Sequence, residues 1–563
     1  MKKKQLKPTI FFVLFIILVI ILLACALLYT RNSTDNNLLV SLPNGQVRGA
    51  IYVTKTGKTY YGFRGIPYAK PPVGDLRYEL PQSVEPWNGI LNASIDGKAC
   101  ISLEYSASAQ SEDCLFINIY VPSIGKLLEN KHLPVMFWIH GGGLTTNSSD
   151  KLWNGPDFLV EKNVIMVSIN YRLGPLSFLS TGDSILPGNL GLKDQAFAMV
   201  WVRDNIEHFG GDPDKVTIFG HSAGAISVGA HLLSKRSAGL FRAAILQSGS
   251  VTQYRAIERN PRSVAFALAN KIPGGFYQND TRVLKDFLKS KSVEDILNAT
   301  LLLPSSMSFW LTMEPESDDA FLTESPYVLL ESGNFNQVPI IIGVTAEESA
   351  YFLKDLNGTK STAEALESSP SNIIPSDLYT NSTSEPAILQ KIREIYLNEG
   401  ETFSSNLTAF VKFYSDDLFK IAAQKHAEHA SKYVPVYQYQ FSYFGRFGST
   451  IPIDGIEKAT HTSDLPFILN LFGSDGDTDV TNLLVQEQIV TLWTNFAKYL
   501  NPTPFETKLF DNIIWSTFNN PDFPYLSINS SLEVQTNLGG RAYSSWYDIY
   551  GTYGRKLFKL GVE

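Results

Sequence analysis

The central stretch of this chain reads Val216-Thr217-Ile218-Phe219-Gly220-His221-Ser222-Ala223-Gly224-Ala225. Its first residues are apolar or β-branched and predict a buried strand, and the small residues that follow open a helix. Between them lies Gly-x-Ser-x-Gly, whose glycines leave room for a sharp turn. Such a turn exposes the Ser222 hydroxyl and leaves the Ala223 N–H at the positive end of the new helix, where an anion is stabilised. Ser222 is therefore a candidate nucleophile; the alternative is a glycine-rich turn that happens to carry a serine.

Apolar runs like this one recur along the chain, with helical stretches between them. The other runs span residues 133–139, 164–169, 243–246, 339–342 and 433–441. Nearly continuous apolar runs suit strands buried on both faces, so we predict an α/β fold with a mainly parallel central sheet flanked by helices on both faces. Ligands bind beyond the carboxyl ends of such strands, which is where Ser222 is placed.

The 133–139 run ends in His140-Gly141-Gly142-Gly143. Successive glycines let backbone N–H groups approach a ligand with no side chain in the way, although a triple glycine can also be an ordinary flexible loop. Beside an exposed serine, the amides of Gly142, Gly143 and Ala223 would form an oxyanion hole. One such donor is worth roughly 3 kcal/mol of activation barrier.

A serine hydroxyl needs a base, usually a histidine that a carboxylate orients. Of the eight histidines, His461 in the loop 459–467 is the candidate, since a loop far from the serine can carry the base. His221 adjoins Ser222, but neighbouring side chains on a tight turn diverge. His426 and His429 are spaced for one helix face and could mimic a metal pair; with no third ligand evident, a solvated helix surface is predicted for them.

The carboxylate should lie between the serine and the histidine in the chain order of this fold. The 339–342 strand runs into Gly343-Val344-Thr345-Ala346-Glu347-Glu348 and delivers an acid at a strand end. Spacing alone does not separate Glu347 from Glu348.

The composition sets limits on the class of protein. The chain has 563 residues, of which 44% are hydrophobic and 18% charged, which supports a substantial core and argues against disorder. A net charge of −8 gives no basic footprint for nucleic acid. No linker or repeat interrupts residues 38–563, so one large domain is predicted.

The amino terminus predicts membrane attachment. A basic tail, residues 1–9, precedes an unbroken apolar run at 10–29 and a polar stalk at 30–37. About 20 apolar residues cross a bilayer, whereas a cleaved signal has about 7–15, so we predict an uncleaved anchor with the main domain lumenal or extracellular. A cleaved signal peptide, giving a secreted protein, and a lipid tether at Cys25 are the alternatives.

Cysteines and glycosylation acceptors fit an oxidising compartment. Of the three cysteines, Cys100 and Cys114 can pair in a disulfide worth on the order of 3 kcal/mol, the alternative being two free buried thiols. Asn-x-Ser/Thr acceptors suit a eukaryotic secretory route. They occur at Asn32, Asn92, Asn147, Asn279, Asn298, Asn357, Asn381, Asn406 and Asn529.

A series of motifs in one order resembles the type-B carboxylesterase/lipase family, from about Leu38 to the C-terminal region. This family includes carboxylesterases, cholinesterases and inactive neuroligin-like adhesion proteins. The motifs are residues 63–69, 71–74, 111–115, 170–174, 188–195, 209–213, 244–250, 493–497 and 501–502, around the Gly-x-Ser-x-Gly stretch.

The resemblance implies Ser222 as nucleophile, His461 as base and Glu348, rather than Glu347, as acid. It also implies an α/β-hydrolase fold, a Cys100–Cys114 disulfide, and the ion pairs Arg77–Glu112 and Arg172–Asp194. The expected activity is hydrolysis of small carboxylic esters through an acyl-enzyme, with no metal or organic cofactor.

Two departures from the family bear on the substrate. His221 stands where the family usually has a glutamate, and Glu104, beside Tyr105, stands where cholinesterases have a tryptophan. Both changes remove groups that would hold a quaternary ammonium. Choline esters are therefore not the expected substrates. The alternatives are a non-catalytic adhesion protein, against which the retained Ser222, Glu348 and His461 weigh, and a cholinesterase proper, against which Glu104 weighs.

Overall fold

The computed structural model describes residues 38–554, apart from 104–108, 124–131, 305–306, 354, 446–452, 472–476 and 519–521. Its strands are β1 (Leu39–Leu42), β2 (Gly45–Arg48), β3 (Ala50–Val53), β4 (Thr59–Pro67), β5 (Ile90–Asn92), β6 (Ala99–Cys100), β7 (Gln110–Ser111), β8 (Phe116–Pro122), β9 (Leu133–Ile139), β10 (Ile165–Ile169), β11 (Gly211–His221), β12 (Ala243–Gln247), β13 (Ile340–Thr345), β14 (Val436–Phe441), β15 (Pro524–Ile528) and β16 (Leu532–Thr536). All the predicted strands are confirmed.

The central sheet has 11 strands in the order β16-β15-β14-β13-β12-β11-β9-β10-β8-β4-β3. Neighbouring strands are parallel from β15 to β10 in this order. Both edges are antiparallel, with β16 on one side and β8, β4 and β3 on the other. The mainly parallel sheet is confirmed, and the sequence prediction missed only its antiparallel edges.

Helices cover both faces of this sheet. The α-helices are α1 (Asp157–Val160), α2 (Leu190–Asn205), α3 (Ala223–Leu233), α4 (Pro261–Lys271), α5 (Thr281–Ser290), α6 (Val293–Thr300), α7 (Pro326–Glu331), α8 (Leu356–Ser368), α9 (Ser384–Tyr396), α10 (Leu407–Ser415), α11 (Ile421–Ala430), α12 (Val480–Tyr499) and α13 (Gly540–Tyr553).

The side chains of β9 show why its sequence is apolar without a break. Val135 and Phe137 belong to one buried cluster and Met136 and Trp138 to another. Successive side chains of a strand point to opposite faces, so each residue enters one of two cores. Helices α2 and α3 cover the first core, and α12 covers the second. This three-layer arrangement places the carboxyl ends of β9, β11 and β13 along one edge of the sheet.

Two ion pairs, of which Arg172–Asp194 is buried and Arg77–Glu112 part-buried, and one disulfide cross-link separate segments of the chain. Arg172 Nη2 lies 2.7 Å from Asp194 Oδ1, and Arg77 Nε lies 2.6 Å from Glu112 Oε1. Cys100 and Cys114 form a disulfide. All three pairings were predicted. Removing one partner of the buried Arg172–Asp194 pair strands the other charge and costs roughly 3–5 kcal/mol, so this pair stabilises the scaffold.

The predicted tail, anchor and stalk at 1–37 lie outside the described residues, as do Asn32, Glu104 and Tyr105. Within the described part of the chain, no helix has the length and apolar character to span a bilayer.

The other glycosylation acceptors differ in accessibility. Asn406 is half-buried and caps α10, accepting from the Ala409 N–H while its own Nδ2 donates to Glu401. A glycan would replace one hydrogen of that amide nitrogen. Asn406 therefore has the least suitable geometry of these residues for glycosylation. Asn147 is also half-buried. The exposed acceptors are Asn92, Asn279, Asn298, Asn357, Asn381 and Asn529.

Candidate active site

Ser222 lies between β11 and α3, as predicted. Its backbone has φ 57° and ψ −123°, a conformation that few non-glycine residues adopt. The Ser222 N–H donates to the carbonyl of Gln247 at the end of β12, and the Ser222 carbonyl accepts from Ile226 in the first turn of α3. These bonds hold the strained turn in place, which is typical of a functional site.

Steric limits explain why Gly220 and Gly224, on either side of Ser222, are glycines. A Cβ added at Gly220 would lie 2.6 Å from the carbonyl oxygen of Gly224, and one added at Gly224 would overlap the carbonyl oxygen of Ile139. The start of α3 therefore packs directly on the end of β9. Only glycine permits this approach, so close backbone packing requires the two glycines of the motif.

The triple glycine follows β9 and lies beside Ser222. A Cβ added at Gly141 would come within 3.2 Å of Ser222 Cβ, and Gly142 and Gly143 have φ 103° and 61°. Within the described part of the chain, no acceptor is found for the N–H groups of Gly142 and Gly143. Ala223 is the first residue of α3, where the amide has no partner inside the helix. Ala223 directly follows Ser222 in the chain, and Gly142 and Gly143 follow the glycine that packs against it.

His461 and Glu348 are brought together as a buried pair. His461 Nδ1 lies 2.6 Å from Glu348 Oε2, and because a carboxylate only accepts, the ring N–H donates. The other oxygen, Oε1, accepts from the Thr345 N–H at 2.7 Å, and the His461 N–H donates to the Glu348 carbonyl. Glu348 is 0% exposed and His461 3%. The carboxylate fixes the ring in the tautomer that leaves Nε2 free to accept.

The structure also separates the two glutamates that spacing left open. Glu347 is directed away from His461, and its Oε2 accepts from the Lys458 N–H at 2.8 Å. Glu348 alone bonds to the imidazole, as the family resemblance implied.

Rings surround His461 on its other sides. The rings of Tyr351, Phe352 and Phe419, which we call the aromatic wall, lie 5.8, 5.3 and 4.7 Å from the His461 ring between centroids. His221 is closer still, at 4.4 Å. Since His221 directly precedes Ser222, this contact brings the histidine loop next to the serine turn. Among the described residues, no hydrogen bond joins the Ser222 hydroxyl to His461; such bonds often tighten only when substrate binds.

One histidine prediction is wrong. His426 on α11 was expected on a solvated surface, but it is fully buried and its Nδ1 bonds to Ser250 Oγ at 3.0 Å. Burial lowers the pKa of His426 to about 3. Its neighbour His429 is partly buried. No group of three or more metal-ligating side chains occurs in the described part of the chain.

A polar network behind His461 was missed from the sequence. Gln247 Nε2 donates to Asp464 Oδ2 at 2.9 Å, and Trp493 Nε1 donates to Gln247 Oε1 at 3.2 Å. Tyr439 OH also reaches Asp464 Oδ2, at 3.4 Å. Asp464 follows His461 by three residues, so a second acid in the histidine loop was the available signal. Its burial, with Glu348 nearby, raises the pKa of Asp464 to about 6.

This raised pKa predicts a pH-dependent stability. Asp464 binds its proton more tightly in the folded state than in the unfolded state, where the pKa is about 3.8, so its contribution to stability falls as pH rises from 4 to 6. Replacing Asp464 by Asn removes this contribution. Urea unfolding should show the wild type losing about 2 kcal/mol relative to D464N between about pH 4.5 and 7.5. A constant difference between the two proteins would contradict this assignment.

The sheet order and the serine turn define an α/β-hydrolase. A family model described as the carboxylesterase family matches residues 36–546. The chain belongs to this family, and it is a carboxylic-ester hydrolase.

Similar proteins agree with this assignment. The chain is 32% identical to a juvenile hormone esterase of Tribolium castaneum, over 91% of this chain and 90% of that protein. It is 32% identical to an acylcarnitine hydrolase of Mus musculus, over 84% and 85%. Among solved structures, juvenile hormone esterase from Manduca sexta, with OTFP covalently attached, matches with a TM-score of 0.81 and 27% identity, over 92% of this chain and 99% of that one.

Proposed function

We propose that Ser222, His461 and Glu348 form the catalytic triad of this ester hydrolase. The observation that carries the proposal is the buried bond from His461 Nδ1 to Glu348 Oε2, at 2.6 Å, beside a strained serine turn. His461 takes the proton of the Ser222 hydroxyl as the oxygen attacks the ester carbonyl. Glu348 stabilises the imidazolium that forms and keeps the correct tautomer.

The tetrahedral intermediate places a negative charge on the former carbonyl oxygen. The N–H groups of Gly142, Gly143 and Ala223 are proposed to donate to this oxygen. Gly142 and Gly143 follow Gly141, which packs against Ser222, and no acceptor for their N–H groups is found in the described part of the chain. When the intermediate collapses, His461 returns the proton to the departing alcohol. Water activated by the same histidine then hydrolyses the acyl-enzyme.

The aromatic wall indicates what kind of ester fits. Tyr351 and Phe352 are 54% and 48% exposed, although both lie next to a buried histidine. Exposed aromatic rings beside a reactive centre offer apolar contact area to a substrate. We therefore propose that the apolar acyl or alcohol group of a small uncharged ester packs against this wall.

We also propose that the chain comprises four segments. Residues 1–9 would form a cytoplasmic tail, 10–29 the membrane anchor and 30–37 a stalk, with residues 38–563 as the esterase domain; the lysines before the apolar run support this orientation. The exposed sequons are the proposed glycan sites. The intact mass of the mature N-terminus separates an uncleaved anchor from a cleaved signal.

A burst experiment tests the acyl-enzyme. Mixing the enzyme with excess p-nitrophenyl acetate should release p-nitrophenol in a fast phase of one equivalent per chain, followed by slower turnover. The fast phase reports acylation of Ser222 and should be absent in Ser222→Ala. A burst of equal size in the variant would overturn the assignment of Ser222. Repeating the assay with longer acyl chains measures how far the acyl site extends.

A further inference from the structure

His221 lies in the catalytic centre but has no role in the steps above. It is the last residue of β11 and only 3% exposed, and its Nε2 is buried with no hydrogen-bond partner among the described residues. Its ring lies 4.4 Å from the ring of His461, at an interplanar angle of 44°. This is the shortest of the ring contacts that His461 makes in the described part of the chain.

The charged groups and rings that face His461 belong to a few elements of the fold. Glu348 bonds to Nδ1 from the turn after β13, and Tyr351 on the same turn presents its neutral ring. Asp464 acts on His461 from the histidine loop itself. From the segment Asp416–Lys420, Phe419 places its ring against His461. On the β11 side, His461 meets His221.

His221 is neutral at the pH where a histidine base works. Burial, together with the proximity of His461, holds the pKa of His221 well below its usual range. A neutral imidazole can stay packed against His461 when that ring becomes charged. A second imidazolium there would repel it, and a carboxylate there would attract it.

Resting on the proposed role of His461, we propose that His221 is a positioning residue for the catalytic base. Its ring packs against the His461 ring, and because it is neutral it adds no carboxylate beside Glu348. A carboxylate in place of the His221 ring would favour the charged form of a neighbouring imidazole, whereas a neutral ring does not.

Replacing His221 by Glu tests the charge, with His221→Gln as the matched neutral control. A carboxylate about 4–6 Å from an imidazole raises its pKa by one unit or more. The acid limb of the kcat/KM profile should thus move up by about one pH unit in H221E and stay near the wild-type position in H221Q. Because Asp464 and Glu348 are common to all three proteins, only the new charge differs. Acid limbs that coincide in H221E and H221Q would overturn the proposal.

A second pair tests the supporting ring and does not depend on folding of the Glu variant. His221→Ala removes the ring, and the proposal predicts a kcat lower by about tenfold with little change in KM, since a misplaced base slows chemistry more than binding. His221→Phe restores a neutral ring and should recover most of the kcat. Equal losses in H221A and H221F, or a change confined to KM, would contradict a positioning role.

Failure of this inference is distinguishable from failure of the triad. If Ser222→Ala abolishes turnover while the H221E and H221Q profiles coincide, the triad stands and His221 has no positioning role. If Ser222→Ala keeps its activity, both proposals fall. Melting temperatures of the His221 variants show whether a change in rate comes from a loss of folded protein.

Discussion

Replacing Ser222 by Ala is expected to lower kcat for p-nitrophenyl acetate by about 10⁶-fold, the scale found when a serine hydrolase loses its nucleophile. The loss is large because the base and the backbone donors remain but the hydroxyl that they would activate is missing. His461 keeps its bond to Glu348, and the backbone donors stay in place, but no acyl-enzyme can form. The residual rate comes from binding and from the oxyanion hole alone. Steady-state kinetics with active-site titration of the wild type measures the ratio.

Ser227→Ala is the matched control for this variant. Ser227 is a buried serine on α3, and its hydroxyl donates to the Ala223 carbonyl rather than facing the proposed site. The variant loses this bond and the one that Ser227 Oγ accepts from Gln195 Nε2 at 3.3 Å, which costs about 1–3 kcal/mol of stability, and kcat should stay within a few-fold of wild type. A Ser222→Ala protein that retains a tenth of its activity would show that another group attacks the ester.

Replacing Glu348 by Gln is expected to lower kcat by about 10⁴-fold, as the corresponding amide substitution does in the serine protease triad. The amide has nearly the same shape, so the fold should tolerate it. Its NH₂ group can donate to His461 Nδ1, however, and this favours the tautomer in which Nε2 carries the proton. That tautomer cannot accept the Ser222 proton, and no carboxylate remains to stabilise the imidazolium.

Glu347→Gln provides a control one residue away. Glu347 bonds to the Lys458 N–H and not to His461, so E347Q should keep kcat within a few-fold of wild type. Comparing E347Q with E348Q is informative because sequence spacing did not distinguish the two acids. Similar rate losses in E347Q and E348Q would mean that the catalytic acid lies elsewhere.

The local parts of this structure could be predicted from the sequence, since they follow from neighbouring residues. The strand-turn-helix around Ser222 is one such part, because small residues and a β-branched run leave few alternatives. The triple glycine after β9 is another. Both predictions rest on steric requirements that a few adjacent residues must meet. The positive φ of Ser222 shows how strict these requirements are at the turn.

The parts that depend on distant packing could not be predicted in this way. Helical spacing placed His426 and His429 on one face, but it did not show that the loop with Ser250 and Thr252 packs on α11 and that His426 is buried. The bond from Gln247 to Asp464 joins residues 217 positions apart. Glu348 was separated from Glu347 only by family resemblance, since one residue of shift changes which carboxylate turns toward the loop.

The most direct test of the central claim is to locate the covalent bond. The enzyme is treated with diethyl p-nitrophenyl phosphate, which transfers a diethylphosphoryl group to an activated serine and releases p-nitrophenol. Proteolysis and mass spectrometry then identify the labelled residue. We predict one diethylphosphoryl group per chain, on Ser222, and loss of esterase activity in proportion to labelling. Inactivation with the label on any other residue, or full labelling of Ser222 with activity retained, would contradict it.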